Sequence, residues 1–244
     1  MKGKVRPVSL PRKLVIDLMR ASVPLVVVER DMKLERLVKA RTQLAQRPSW
    51  MSIVAKAYCL VAREEPWLRT FYLTWPWPHF YELPRSVAMA AIIRDSFDKE
   101  VPVLLKLGAA DELPLATLDV ALTLGKNAPI DDVPTIKRIL RITRLPRPLR
   151  RLIWNFGLNI GRQRANYLGT ITFTSIANLG AETVVANSPG PCLLSYGLVR
   201  ADYGMKLLFH WDHRIFDGIL VARALRRLEE VMNNEIADEL LSAG

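Results

Sequence analysis

The chain has 244 residues, half of them hydrophobic and 24% charged, with 35 Lys and Arg against 24 Asp and Glu for a formal net charge of +11. That apolar content excludes a disordered chain, and no apolar run approaches the length that spans a bilayer, so one domain across residues 1–244 with a single large core is expected. Two distant cysteines, Cys59 and Cys192, exclude a disulfide framework and a Cys-x-x-Cys metal site; both read as small buried apolar residues.

In chain order, Met1-Lys-Gly-Lys-Val-Arg-Pro lacks the apolar core of a signal peptide, which leads to an expected cytoplasmic location. Helical patterns follow over residues 34–44 and 52–62. The run Trp75-Pro76-Trp77-Pro78-His79-Phe80-Tyr81 is broken by prolines and lacks strand alternation, so it reads as a loop or hairpin tip. Such aromatics can wall a small-molecule pocket or pack at a subunit contact. His79 has no partner motif, and no catalytic role is assigned to it.

Residues 137–164 hold Lys137, Arg138, Arg141, Arg144, Arg147, Arg150, Arg151, Arg162 and Arg164 and no Asp or Glu. Pro146 and Pro148 bracket Arg147 and break this segment into two short helices. In the second, Leu149, Leu152, Ile153 and Phe156 share a face, with Trp154 at its flank. A basic amphipathic helix suits an anionic membrane surface, which would make the protein membrane-peripheral. Phosphates of coenzyme A, an acidic acyl carrier protein and a plain solvated helix face are the competing readings. Nucleic acid is set aside, because no binding motif accompanies the charge.

Near the C-terminus, Met205, Leu207, Phe209 and Trp211 alternate on one face of a buried strand. After Gly218, Val221, Leu225, Leu228 and Met232 recur at helical spacing. His213 and Asp217 therefore stand on a strand-to-helix connection, a rigid mount for a general base. A lone histidine at a strand end with an Asp-Gly turn can equally be structural.

His213, Asp217 and Gly218 match the His-x-x-x-Asp-Gly signature of the chloramphenicol acetyltransferase-like superfamily. Asp212-His213-Arg214 with Asp217-Gly218 resembles the catalytic domains of dihydrolipoamide acyltransferases, the cores of 2-oxo acid dehydrogenase complexes. A second block, Gly169-Thr170-Ile171-Thr172-Phe173-Thr174-Ser175 through Gly180, Pro191 and Gly197, is similar to that family's Gly-Thr-Phe-Thr-Ile-Ser segment. Weaker likeness extends to Arg12-Lys13, to the strand-like Val23-Pro24 stretch ending at Glu29, to residues 52–64 and to the strand pair at residues 87–93 and 101–105.

The resemblance implies an α/β fold, an α+β two-layer sandwich with a mixed sheet flanked by helices. It implies acyl transfer from a coenzyme A or carrier-protein thioester to a thiol, hydroxyl or amine, without a metal and without a covalent acyl-enzyme. His213 would be the general base. Thr174 stands at the family's serine position as oxyanion donor, with Ser175 as its understudy. Asp217 would hold the loop through an arginine, here Arg12, at the Gly218 turn.

It further implies a homotrimer or an assembly of trimers, with sites at subunit contacts. Neither a lipoyl domain nor a peripheral-subunit-binding domain is recognised, so no covalent lipoyl group is expected on the chain. The Met1 start then favours a freestanding acyltransferase over an excised dehydrogenase core. A catalytically silent trimeric scaffold, or a basic peripheral membrane protein, is the reading from another class.

Overall fold

A computed structural model describes residues 25–96, 99–129, 133–181, 188 and 190–242. Strands β1 (Leu25–Lys33), β4 (Ala88–Ser96), β5 (Lys99–Leu107), β6 (Ile171–Thr174), β7 (Cys192–Val199) and β8 (Gly204–Asp212) form a six-stranded sheet in the order β1-β8-β7-β6-β4-β5. Strand β6 lies parallel to β4 and β7, and the other neighbours are antiparallel. A separate hairpin pairs β2 (Thr70–Leu73) with β3 (His79–Glu82). Its tip is Trp75-Pro76-Trp77-Pro78, as expected, but the rest of that aromatic run, His79-Phe80-Tyr81, is corrected from loop to strand: in β3 it pairs with Leu73, Tyr72 and Phe71 of β2.

Helices α1 (Glu35–Gln43), α2 (Trp50–Glu64), α3 (Leu115–Asn127), α4 (Pro134–Arg144), α5 (Arg147–Asn159), α6 (Gly161–Leu168), α7 (Gly218–Val231) and α8 (Ala237–Ser242) accompany the strands, with a π-helical turn over Met232–Ile236 joining the last two. The parallel step from β4 to β6 cannot be made by a tight turn, and β5 with α3 to α6 fills that crossover.

The two faces of the sheet differ in chemistry. On one, Met205, Leu207, Phe209 and Trp211 of β8 join Cys192 and Leu194 of β7, Ile171 and Phe173 of β6 and Ala88 and Ala90 of β4 in the main core. Helix α2 lies in that core and is buried from Met51 to Cys59, as its apolar sequence requires. Each of its fully buried aliphatic side chains contributes about 1.5–3 kcal/mol. Ser49 caps this helix by accepting from the Ser52 amide at 3.2 Å. Both cysteines are buried here, and burial pushes their thiols up, Cys192 to about 12.

The opposite face carries Thr172 and Thr174 of β6, Leu193 and Ser195 of β7, and Leu208, His210 and Asp212 of β8. Apart from Thr174, which is half-buried, these residues are buried. Polar groups on a buried face need partners or a function.

Helices α4, α5 and α6 build a second, smaller core from Ile139, Ile142, Trp154, Leu158, Tyr167 and Leu168. The break between α4 and α5 follows from Pro146, which holds Leu145 in extended backbone at ψ 156. Arg150 reaches back across the break, its Nη1 donating to the Thr143 carbonyl at 3.3 Å. One expectation is corrected. Trp154 does not flank the apolar stripe of α5; it is buried with Arg150 and Leu158, while Leu149, Leu152 and Phe156 face outward.

Candidate active site

Strand β8 ends at Asp212, which is 1% exposed, and its amide donates to the Pro191 carbonyl at 2.9 Å. Its carboxylate accepts from Arg214 three times: from the backbone amide at 3.1 Å, Nε at 2.8 Å and Nη2 at 2.7 Å. Paired bidentate bonds of this kind fix orientation as well as charge. The Arg214 guanidinium also lies 4.8 Å from the centre of the Tyr72 ring on β2. Two residues either side of His213 are thus clamped together, and His213 is presented between them.

The following turn is held from the core side. Trp211 Nε1 donates to the Phe216 carbonyl at 3.0 Å, and Phe216 packs 4.3 Å from the Trp67 ring. His213 itself is half-exposed, and its Nδ1 lies 3.5 Å from an Asp217 Oδ1 whose side chain is 83% exposed. That separation is beyond a good hydrogen bond, and an exposed pair of this kind contributes little. The Asp217 carbonyl starts α7 by accepting from Leu220 and Val221. The arginine expected to anchor Asp217, Arg12, lies outside the described residues. A Cβ at Gly218 would meet open space, so nothing among the described residues requires a glycine there.

The second block is explained by its backbone. Gly169 has φ +71, and a Cβ there would stand 2.6 Å from the Val87 carbonyl oxygen. Thr170 next to it accepts from the Val87 amide at 2.9 Å through Oγ1, and its own amide donates to the Val87 carbonyl at 2.8 Å. Glycine and threonine together seat β6 against β4. Three residues on, Thr174 is half-buried at the end of β6 on the polar face, opposite Ser195. The Ser175 hydroxyl is engaged: it donates to the Tyr196 carbonyl at 2.7 Å and accepts from the Ala177 amide at 3.4 Å. It shapes the turn toward Gly180, which has φ +76.

Register sets the distance between the two halves. Thr174 aligns with Ser195, and Ser195 with Leu208. His213 lies five positions beyond Leu208 along β8 and its turn. At about 3.3 Å per residue and about 4.8 Å per strand, Thr174 and His213 of one chain stand roughly 15–20 Å apart. A base and an oxyanion donor must each reach the same reacting carbonyl within about 3 Å. One chain does not bring them together.

Solved structures similar to this chain include a dihydrolipoamide acetyltransferase from Azotobacter vinelandii, studied for the catalytic part of a serine, a histidine and an asparagine. It is 17% identical with a TM-score of 0.65, over 98% of this chain and 95% of that one. The cubic core of a pyruvate dehydrogenase multienzyme complex is 16% identical with a TM-score of 0.65, over 99% and 95%. A chloramphenicol acetyltransferase is 13% identical with a TM-score of 0.53, over 95% and 100%. The chain has the chloramphenicol acetyltransferase-like fold. No family model matches the sequence, and no curated protein does.

The burial of Arg164, His210 and Asp212 is not signalled by the sequence. Arg164 on α6 is buried with its guanidinium 5.5 Å from the Phe71 ring centre, and burial pulls its pKa down to about 10 while the Asp212 charge opposes the fall. The alternation of Leu208, His210 and Asp212 signals a second functional face on β8, but only if that strand is known to be covered on both sides. Among the described residues, no group of three His, Cys, Asp or Glu is placed to hold a metal ion.

Proposed function

We propose that this chain is an acyltransferase that moves an acyl group from a coenzyme A or carrier-protein thioester to a thiol, hydroxyl or amine, at sites shared between copies of a trimer. The observation that carries the reading is His213, half-exposed on a turn clamped by Asp212 and Arg214 within an acyltransferase-like fold.

His213 takes the proton of the acceptor as its heteroatom attacks the thioester carbonyl carbon. The carbonyl oxygen becomes an oxyanion, to which the Thr174 hydroxyl of a neighbouring copy donates. Collapse re-forms the carbonyl, breaks the carbon–sulfur bond and returns the proton from the imidazolium to the leaving thiolate. The transfer is direct, so no acyl-enzyme forms and no metal takes part.

Sharing between copies is supported by surface apolar residues beside each half. Val26 and Val27 stand opposite Trp211 and His210, and Ile219 follows Gly218; all three are exposed. Leu198 and Leu179, also exposed, lie near the Thr174 end. Apolar surface placed beside both halves suits burial against another subunit. The open space at Gly218 leaves room for that approach.

The test is mass spectrometry of candidate acceptors after incubation of the purified protein with a panel of acyl-coenzyme A thioesters, with His213→Ala as control. Transfer by the wild type and none by the variant is expected. Equal activity in both would remove His213 from the mechanism, and activity confined to dihydrolipoamide would make the chain a dehydrogenase-complex core instead.

A further inference from the structure

Helix α5 is amphipathic in an unusual sense. Its inward side is Arg150, Trp154 and Leu158, and its outward side is Leu149, Leu152 and Phe156, continued by Ile160 just past its end. These four outward residues fall within one narrow stripe at helical spacing, and each is between 44% and 56% exposed. A helix in a plain solvated position would carry polar residues there.

The stripe is not isolated. The Trp75 ring at the tip of the β2–β3 hairpin meets Phe156 edge-on at 6.3 Å, and Thr74 Oγ1 donates to Asn159 Oδ1 at 3.5 Å. Beyond Asn159, the chain passes so near the hairpin that a Cβ at Gly161 would stand 2.2 Å from the Tyr81 ring. Hairpin tip and helix therefore form one fixed surface, to which exposed Trp75, Trp77 and Phe80 add their rings. Trp75 and Trp77 stand at the tip itself, and Phe80 on the adjoining strand β3.

Charge identifies the occupant. Lys137, Arg138, Arg141 and Arg144 on α4, Arg147 and Arg151 on α5 and Arg162 on α6 are all exposed, and residues 133–168 contain no Asp or Glu. We propose that this surface docks on an anionic lipid bilayer, with Trp75, Trp77, Phe80, Leu152 and Phe156 entering the headgroup and upper acyl region and the cations meeting lipid phosphates. Contact through the same face of a second copy would set cations against cations. No described helix is long and apolar enough to cross a membrane, so the contact is interfacial. None of His213, Thr174 or Asp212 belongs to it.

The experiment is co-sedimentation of the full chain with vesicles of phosphatidylcholine alone and of phosphatidylcholine mixed with phosphatidylglycerol. Binding to the mixed vesicles only, weakened by salt, is expected. Leu152→Asp with Phe156→Asp should lower partitioning by at least about tenfold, since aromatic burial is lost and like charge is added. Because both side chains are exposed, circular dichroism melting should show the variant folded. Sedimentation velocity without lipid completes the test. An unchanged oligomer in the variant supports the proposal, whereas dissociation of the wild-type assembly makes the stripe a subunit contact and overturns it. Failure of the wild type to bind anionic vesicles, or capture of an acidic carrier protein instead, overturns it as well.

Discussion

Mixing two variants, each lacking one proposed catalytic group, tests the proposed shared site. His213→Ala removes the proposed base, and Thr174→Ala the proposed oxyanion donor, a group whose loss costs about 10²–10³ in kcat. Within one chain the two residues are roughly 15–20 Å apart by strand register, so no single-chain site can use both. If each site takes its histidine from one subunit and its threonine from the next, subunits mixed equally and at random give an intact site with probability one half times one half. Co-refolded mixtures should then recover about a quarter of wild-type activity, whereas the separate preparations remain near background. The assay is acyl transfer monitored by thiol release, with the mixing ratio varied so that recovery peaks at equal amounts. Background activity at every ratio, from variants that assemble as the wild type does, would refute the reasoning.

Three further outcomes follow from particular contacts. Gly169→Ala forces a Cβ against the Val87 carbonyl oxygen at a positive φ, and should destabilise by about 3 kcal/mol, seen as a fall of about 10 °C in Tm. Arg214→Met strips the Asp212 carboxylate of its two guanidinium bonds while leaving it buried, and should cost about 3 kcal/mol and lower kcat more than it raises KM, because His213 loses its mount. The Lys33 ammonium, with the Gly204 amide, holds the Asp202 carboxyl at about 2 against an ordinary 3.8. A lowered folded value stabilises above the unfolded pKa, and that contribution is lost as pH falls from about 4 toward about 2. Denaturant titrations of Asp202→Asn should therefore show a shallower acid limb than the wild type.

Much of the fold was legible because it is written in periodicity. Alternation marked β8, helical spacing marked α1, α2 and α7, and the paired prolines marked the break between α4 and α5. The glycine and threonine of the second block were legible as a motif, though their reason, the close approach of β6 to Val87, is a contact 83 residues away in sequence. The shared face of Leu149, Leu152 and Phe156 was legible, but not whether it turns inward or outward, since α5 has two usable faces and its sequence does not say which one meets the core. The same holds for Ser175, whose hydroxyl is indistinguishable from that of Thr174 until the Tyr196 carbonyl is placed beside it.

The sequence alone determined the local chemistry of this protein: a strand leading into the Asp212-His213-Arg214 turn, a helix beginning at Gly218, and a basic segment without acids. These depend on neighbours within a few residues, where side-chain spacing and backbone preference act directly. Only the tertiary structure decided distance. Which hydroxyls face the same side as Asp212, how far Thr174 stands from His213, and which stripe of α5 meets water are set by strand order and register. Those are fixed by burial of the whole sheet, and no short window of sequence contains them.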